Sequence, residues 1–404
     1  MKELSVSIPN YNRKEELQRL VLECVRQIKE CNAEDKVQIC ISDDSSVEDP
    51  SEWIFEQQQK NKEVEIKYFR FKKNQGMDIN FLNSVQMADA TYCWIIGNDD
   101  LPEKAALKTI LDIIKMKEFD LLVTPFNMYG TDEVYRGTVQ LFEESEIERV
   151  YQVSFGNGIG KNVLSDAKQN GAFFTFLSNV IFKRDGWMKN ISKFQDKMDT
   201  IFIQMYMNFQ MMFDGAVYIY EPCYIIRNYL DDDTNATIKR KMDILCGLNG
   251  VIDYFFDSTE RDMLKELIVD PYLEGDLWAL DLGEDYNNAL RMVDTPKNRL
   301  YKKFFLEEKL YSEKLGNCNV VVYGAGKKGR DAAARLRKNG YNNIILAVTD
   351  LKTTDSAEHI CKIDDVLLQD ERRENIYIVA NHFDVVKMTS YLMEKGVSSI
   401  YLIN

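Results

Sequence analysis

"TYCWIIGNDD" spans residues 91–100, and its reading decides the fold. A run of apolar side chains from Tyr92 to Ile96 leads directly into two adjacent carboxylates, Asp99 and Asp100. An apolar run bounded by glycine and acids is a buried strand that ends at a polar edge. Neighbouring like charges repel, so the pair has two readings. It is either a cap for a helix that starts at Pro102, or a seat for something cationic.

The same pattern recurs upstream. "LSVSI" puts Leu4, Val6 and Ile8 on one face at period two, and Pro9 is expected to end the strand. Leu17, Leu20, Val21, Cys24, Val25 and Ile28 then recur at helical spacing. "VQICIS" (37–42), "VEIKYFRF" (64–71) and "FDLLVTPFN" (119–127) read as further strands, separated by helical patterns. Such alternation predicts an α/β domain with a largely parallel sheet covered by helices. Ligands of such sheets bind beyond the carboxyl ends of the strands. Four strands here end in polar tips: "PNYNR" (9–13), "SDDSS" (42–46), "KKNQG" (72–76) and "GNDD" (97–100). One such tip is an ordinary turn or cap. Four at one edge point to a ligand site.

Residues 4–126 resemble the family 2 glycosyltransferases of the GT-A fold, in the abequosyltransferase-like branch of bacterial surface polysaccharide synthesis. "SIPNYNR", "SDDSS", Asn74, Gly76, Ala88, Tyr92 and "GNDD" follow that family's motifs in order and spacing. The resemblance implies a metal-dependent, inverting transfer of a sugar from a nucleoside-diphosphate donor, with UDP as the expected nucleotide. The acceptor would be a glycan or a polyprenyl-linked oligosaccharide. Pro9, Tyr11, Asn12 and Arg13 would lie along the nucleotide. Asp44, with Asp43, would accept from the base, and Asn74, Gly76 and Asn98 would complete the donor site. Asp99 and Asp100 would hold Mg²⁺ or Mn²⁺, hard ions that prefer oxygen ligands. One departure stands out: Gly97 occupies the place of the family's first aspartate.

The family also supplies its catalytic base from a Glu-Asp pair ahead of a Gly-x-x-x-x-Tyr-x-Pro stretch. "GAVYIYEP" (215–222) matches that stretch, but the pair's positions fall on Ile203 and Gln204. The nearest acids are Asp196 and Asp199, and Asp199 is the candidate base; Asp166, Asp185 and Asp214 stay open as alternatives. "GAFFTFLSNVIFKRDGW" (171–187) would form the acceptor side. The Met- and aromatic-rich run 198–213 reads as core or as a face lying on a membrane.

Near the C-terminus, "VVVYGAGKKG" (320–329) sets Gly324, Gly326 and Gly329 as GxGxxG after an apolar strand, and Asp350 ends the next strand. The pattern implies a small Rossmann-like domain whose loop takes a nucleotide, a nucleotide-sugar or NAD. No hydride-transfer partner accompanies it beyond the isolated His382. The expected organisation is a GT-A domain at 1–232, a helical segment at 233–316 and the Rossmann-like domain at 317–404.

Composition bounds the rest. The chain has 404 residues, 45% of them apolar, and a net charge of −14, which excludes nucleic acid as a partner. Eight scattered cysteines without a CxxC fit reduced thiols, and two histidines exclude a His-rich zinc site. No leader or membrane span is read, so the expected location is the cytoplasm, with peripheral contact on the inner face of the membrane. A homo-oligomer stays open. Two rival functions stay open as well: an NAD(P)-dependent nucleotide-sugar oxidoreductase or epimerase, and a non-catalytic nucleotide-sugar-binding protein.

Overall fold

The computed structural model describes residues 1–144, 146–152, 161–230, 238–273, 293–306, 310–350, 360–372, 374–380 and 384–403. It divides into two units, Met1–Ile268 and Val269–Asn404. The expected boundary at 232/233 and His382 lie outside the described residues.

The first unit begins β1 (Lys2–Asn10), α1 (Lys14–Glu30), β2 (Val37–Asp43), α2 (Ser51–Lys60), β3 (Glu65–Arg70), α3 (Met77–Gln86) and β4 (Ala90–Ile95). It continues β5 (Leu101–Pro102), α4 (Ala106–Met116), β6 (Leu121–Val123), β7 (Phe126–Gly130), β8 (Tyr135–Val139), β9 (Arg149–Gln152), α5 (Lys161–Asp166), β10 (Val180–Lys183) and α6 (Arg184–Met188). It closes with α7 (Ile203–Phe213), β11 (Val217–Tyr220), β12 (Ile226–Leu230), α8 (Ile238–Phe255) and α9 (Ser258–Leu264). Among the described residues, one sheet runs β3-β2-β1-β4-β10-β6-β11-β9 and a second runs β5-β12-β7-β8. Strands β1 to β4 are mutually parallel, so their four polar tips share an edge. The helix periodicity holds: all six apolar positions expected on α1 are buried.

Three local expectations are corrected. Pro9 does not end β1, which runs on to Asn10 with Pro9 opposite Ser42. Ser7 accepts from Ile96 N on the β4 side, so Pro9, two residues on, also faces β4, where pairing has stopped at Ser7–Ile95. Its missing N–H therefore costs no ladder bond. Pro102 does not open a helix; Leu101 and Pro102 pair with Arg227 and Ile226, and α4 starts only at Ala106. Asp99 and Asp100 are too far upstream to cap that helix. The run 119–127 is not one strand: β6 and β7 belong to different sheets.

Of the two readings of the Met-rich run, the structure gives core. Met205, Tyr206, Met207, Phe209, Met211 and Met212 of α7 are all buried, and Phe209 packs edge-on to Phe174 and Phe256. No helix among the described residues is long and apolar enough to cross a membrane.

The second unit holds α10 (Asp270–Leu273), α11 (Pro296–Phe304), α12 (Tyr311–Leu315), β13 (Val320–Tyr323), α13 (Lys327–Lys338) and β14 (Ile344–Val348). It ends with β15 (Cys361–Lys362), α14 (Ile363–Gln369), β16 (Ile376–Val379), α15 (Val385–Glu394) and β17 (Ile400–Leu402). Thr295 caps α11 by accepting from Asn298 N at 3.0 Å, with Pro296 in the first turn. The strands form an all-parallel sheet, ordered β15-β14-β13-β16-β17. Val320, Val322, Ile376 and Ile378 meet Ala332, Ala333 and Leu336 of α13 in its core.

Candidate active site

The four tips are joined by hydrogen bonds that run from tip to tip. Asn10, the last residue of β1, is fully buried. Its amide donates to Asp43 Oδ1 at 2.6 Å, and its Oδ1 accepts from Asn98 Nδ2 at 2.7 Å. Its carbonyl accepts from Asp44 N and from Asn80 Nδ2 on α3. Asp43 is buried and also holds Ser46 and Arg70. It braces the edge rather than facing solvent. Asn12 is likewise spoken for: its Oδ1 accepts from Val47 N, and its own N–H donates to Ser46 Oγ.

Asp44 accepts from Gln75 N at 2.6 Å and Gly76 N at 2.9 Å, tying the second tip to the third. Burial pushes its carboxyl above the usual range, and those two N–H groups pull it back. Asp44 is itself 2% exposed, so these two bonds hold it within the edge much as Asp43 is held. Asn74 Oδ1 accepts from Gly76 N, which fixes the turn before α3.

At the fourth tip the two acids part company. Asp99 is half-exposed on a cleft of about 560 Å³ shared with Asn12, Arg13, Arg19 and Tyr229, and Arg13 Nη1 lies 3.2 Å from its Oδ2. Asp100 is 3% exposed. Ser178 Oγ donates to its Oδ2 at 2.6 Å and Asn228 Nδ2 to its Oδ1 at 2.9 Å. Burial, then the charge of Asp99, raises the Asp100 carboxyl well above the carboxylate range. It backs the site while Asp99 faces it.

Gly97 has a steric reason to lack a side chain. A Cβ there would sit 2.9 Å from Asp99 Oδ1 and 3.2 Å from Asp100 Oδ2. Both carboxylates fold back over the position that the family's first aspartate would fill. Gly97 N donates to Ser178 Oγ, the same hydroxyl that donates to Asp100. Tyr11 is exposed beside this edge, and Arg13 is partly so.

Asp199 is exposed on the turn before α7. That turn is tied to α3: Asp78 Oδ2 accepts from Ile201 N at 2.8 Å, and Oδ1 from Ile203 N at 3.3 Å. Ile201 has φ +60, a left-handed conformation that a β-branched residue rarely takes. Three of the other candidate bases hold cations: Asp166 pairs with Arg149, Asp196 with Lys197 and Asp214 with Lys189.

Sequence reasoning missed Asn10, Asp78, Ser178 and Asn228. Asn10 stood inside the quoted "PNYNR", and Ser178 inside the acceptor-side run. Nothing local separates Asp78 or Asn228 from surface polar residues.

Residues 5–185 match the family model described as Glycosyl transferase family 2. Abequosyltransferase RfbV of Salmonella typhimurium is 33% identical over 193 residues, 46% of this chain and 54% of the relative. The chain thus spans about half the length of that curated relative. Two solved structures of S. aureus TarS 1-349 share the fold. One has a TM-score of 0.50 at 13% identity, covering 74% of this chain and 80% of TarS. The other, in complex with UDP-GlcNAc, has a TM-score of 0.51 at 13% identity, covering 74% and 87%.

Proposed function

We propose that this chain, residues 5–185 of which match the Glycosyl transferase family 2 model, is a metal-dependent, inverting glycosyltransferase. It moves a sugar from a nucleoside-diphosphate donor to a glycan or lipid-linked oligosaccharide in polysaccharide synthesis, at the cytoplasmic face of the membrane. The observation that carries this reading is the Arg13–Asp99 pair on an open cleft at the edge where four parallel strand tips meet.

The residues present suit a divalent cation. Among the described residues no three His, Cys, Asp or Glu side chains form a ready-made metal cage. Mg²⁺ and its analogues commonly take one or two carboxylates and complete their shell with substrate phosphates and water. Asp99 is the carboxylate that would hold such an ion, with Asp100 behind it. Bound there, Mg²⁺ or Mn²⁺ supplies positive charge to the departing nucleoside diphosphate.

The chain's own side chains do the remainder. Tyr11 flanks the base above the buried Pro9, and Asp44 accepts from it. Arg13 serves the ribose and phosphates with the guanidinium that meets Asp99. Asp199 takes the proton of the acceptor hydroxyl as that oxygen attacks the anomeric carbon from the face opposite the leaving group. The segment 171–187 borders the acceptor.

Incubation with UDP-, GDP-, CDP- and dTDP-sugars and Mn²⁺ tests the proposal. A transferase releases nucleoside diphosphate slowly by hydrolysis, and EDTA stops the release. Absence of both turnover and metal-dependent binding across the panel overturns it. Binding without turnover selects the non-catalytic rival.

A further inference from the structure

The second unit contains a cavity that the transferase reading does not use. It measures about 690 Å³ and opens at the carboxyl edge of the parallel sheet, between the ends of β13, β14 and β16. Strand β13 pairs with β14 on one side and β16 on the other. The chain order therefore reverses at β13, the place where open α/β sheets part to admit a ligand.

The walls differ in chemistry. Lys327, Lys328 and Lys387 line the cavity against two acids, Asp350 and Asp384, and no acid lies in the first turn of α13 to balance its lysines. Cations at the positive end of a helix oppose its dipole and become favourable when an anion sits against them. Partial burial, then Arg335 and Lys297, depress the Lys328 amine, so the field around it is positive. Asp350 lies beyond the tip of β14 on the same cavity. Val348, Ala380 and Met388 add apolar lining.

The three glycines of the loop separate structural need from ligand need. Gly324 has φ +114, and a Cβ on Gly329 would lie 1.6 Å from the Gly324 carbonyl oxygen. The fold demands both. Gly326 is different: its φ is −70, open to any residue, and a Cβ there would meet nothing within 4 Å. Neither backbone conformation nor packing within the protein calls for glycine at 326. A phosphate approaching the backbone N–H groups would.

We propose that this cavity binds the 5′-diphosphate and ribose of a nucleotide without a metal ion. The diphosphate lies over Gly326 against the N-terminus of α13 and the lysines. The ribose hydroxyls donate to Asp350, and the base rests on the apolar wall. Lysines take the role that a cation plays opposite Asp99, so chelators leave this site intact. The same chemistry comes from a nucleotide-sugar or from NAD, and the choice of ligands in the test tells them apart.

The test is calorimetry on the full-length Asp99→Ala protein in EDTA, with UDP, UDP-GlcNAc, ADP, NAD and the 2′-deoxy forms of UDP and ADP. One nucleotide bound per chain is expected, at least tenfold weaker for the 2′-deoxy form. Asp350→Asn should weaken binding and erase that discrimination. Gly326→Val should abolish binding with an unchanged melting temperature, because its side chain enters space the protein leaves open. Preference for the UDP or the adenine series names the source. No EDTA-insensitive binding of any of these nucleotides, or equal affinity in Gly326→Val, overturns the proposal. Because the assay omits the metal and uses Asp99→Ala, its failure leaves the transferase reading untouched.

Discussion

Asp78 on α3 accepts a hydrogen bond from the backbone N–H of Ile201, 123 residues away in sequence. The contact fastens the turn that carries Asp199 to the helix that follows the third strand tip. Asp78 is 1% exposed, and burial raises its carboxyl to about 6 against the three N–H groups that stabilise its charge. In the unfolded chain it lets go of its proton near 4. Between those values the folded state binds more protons, so this group's contribution to stability falls as pH rises from about 4 to 6. Relative to Asp78→Asn, the parent should lose about 2–3 kcal/mol across that window. Chemical denaturation of both proteins at pH 4.5 and 7 checks it; a constant difference between them refutes it.

Asp99→Ala removes the open carboxylate of the 97–100 turn, leaving Glu15 and Glu16 on the cleft wall. Metal-dependent donor affinity should fall by at least a hundredfold, as calorimetry with Mn²⁺ would show. The fold should be unaffected, since a half-exposed ion pair contributes about 0–1 kcal/mol. A melting temperature lowered by many degrees would instead give Asp99 a structural role.

Gly97→Asp inserts the aspartate that family 2 glycosyltransferases carry at the matching place, yet it should weaken the site. Its Cβ would enter the space that Asp99 Oδ1 and Asp100 Oδ2 occupy, and a third carboxylate adds repulsion to a pair in which Asp100 already resists ionisation. Mn²⁺ affinity in the presence of donor should drop about tenfold. Tighter binding would show that the carboxylates rearrange freely.

Ser178→Ala deletes a hydroxyl that donates to Asp100 and accepts from Gly97 N. Both partners are left short of a bond in a buried setting, so stability should fall by about 1–3 kcal/mol. Donor affinity should fall with it, because the 97–100 turn loses its brace. Ser178→Thr, if its methyl is accommodated, keeps the hydroxyl and should recover most of both.

Asp199→Asn should stop transfer to acceptor while sparing donor affinity, since the amide cannot take a proton. Steady-state turnover alongside donor titration separates the two. Unchanged turnover removes Asp199 as the base and returns the role to Asp185 or to a group outside the 196–214 region.

Much of the site is legible in the sequence. "PNYNR", "SDDSS" and "GNDD" announce themselves because each is a polar tip on a strand whose own periodicity is local. The glycine spacing at 324–329 is legible for the same reason. Pro102 misleads, because proline suits the first turn of a helix and equally an edge strand, and only Ile226, over a hundred residues on, settles which. The division of labour between Asp99 and Asp100 is not legible either. Adjacent and identical in type, they differ only in what surrounds them: Ser178 lies 78 residues from Asp100, and Asn228 lies 128.

Sequence alone determined where the first four parallel strands and their polar tips fall, because hydrophobic period and turn chemistry act over a few residues. The tertiary structure decided which carboxylate is buried, which faces the cleft, and how the Asp199 turn is held. Those depend on strand order and on partners far away in the chain, and desolvation of a charge is a property of the packed surroundings rather than of the residue.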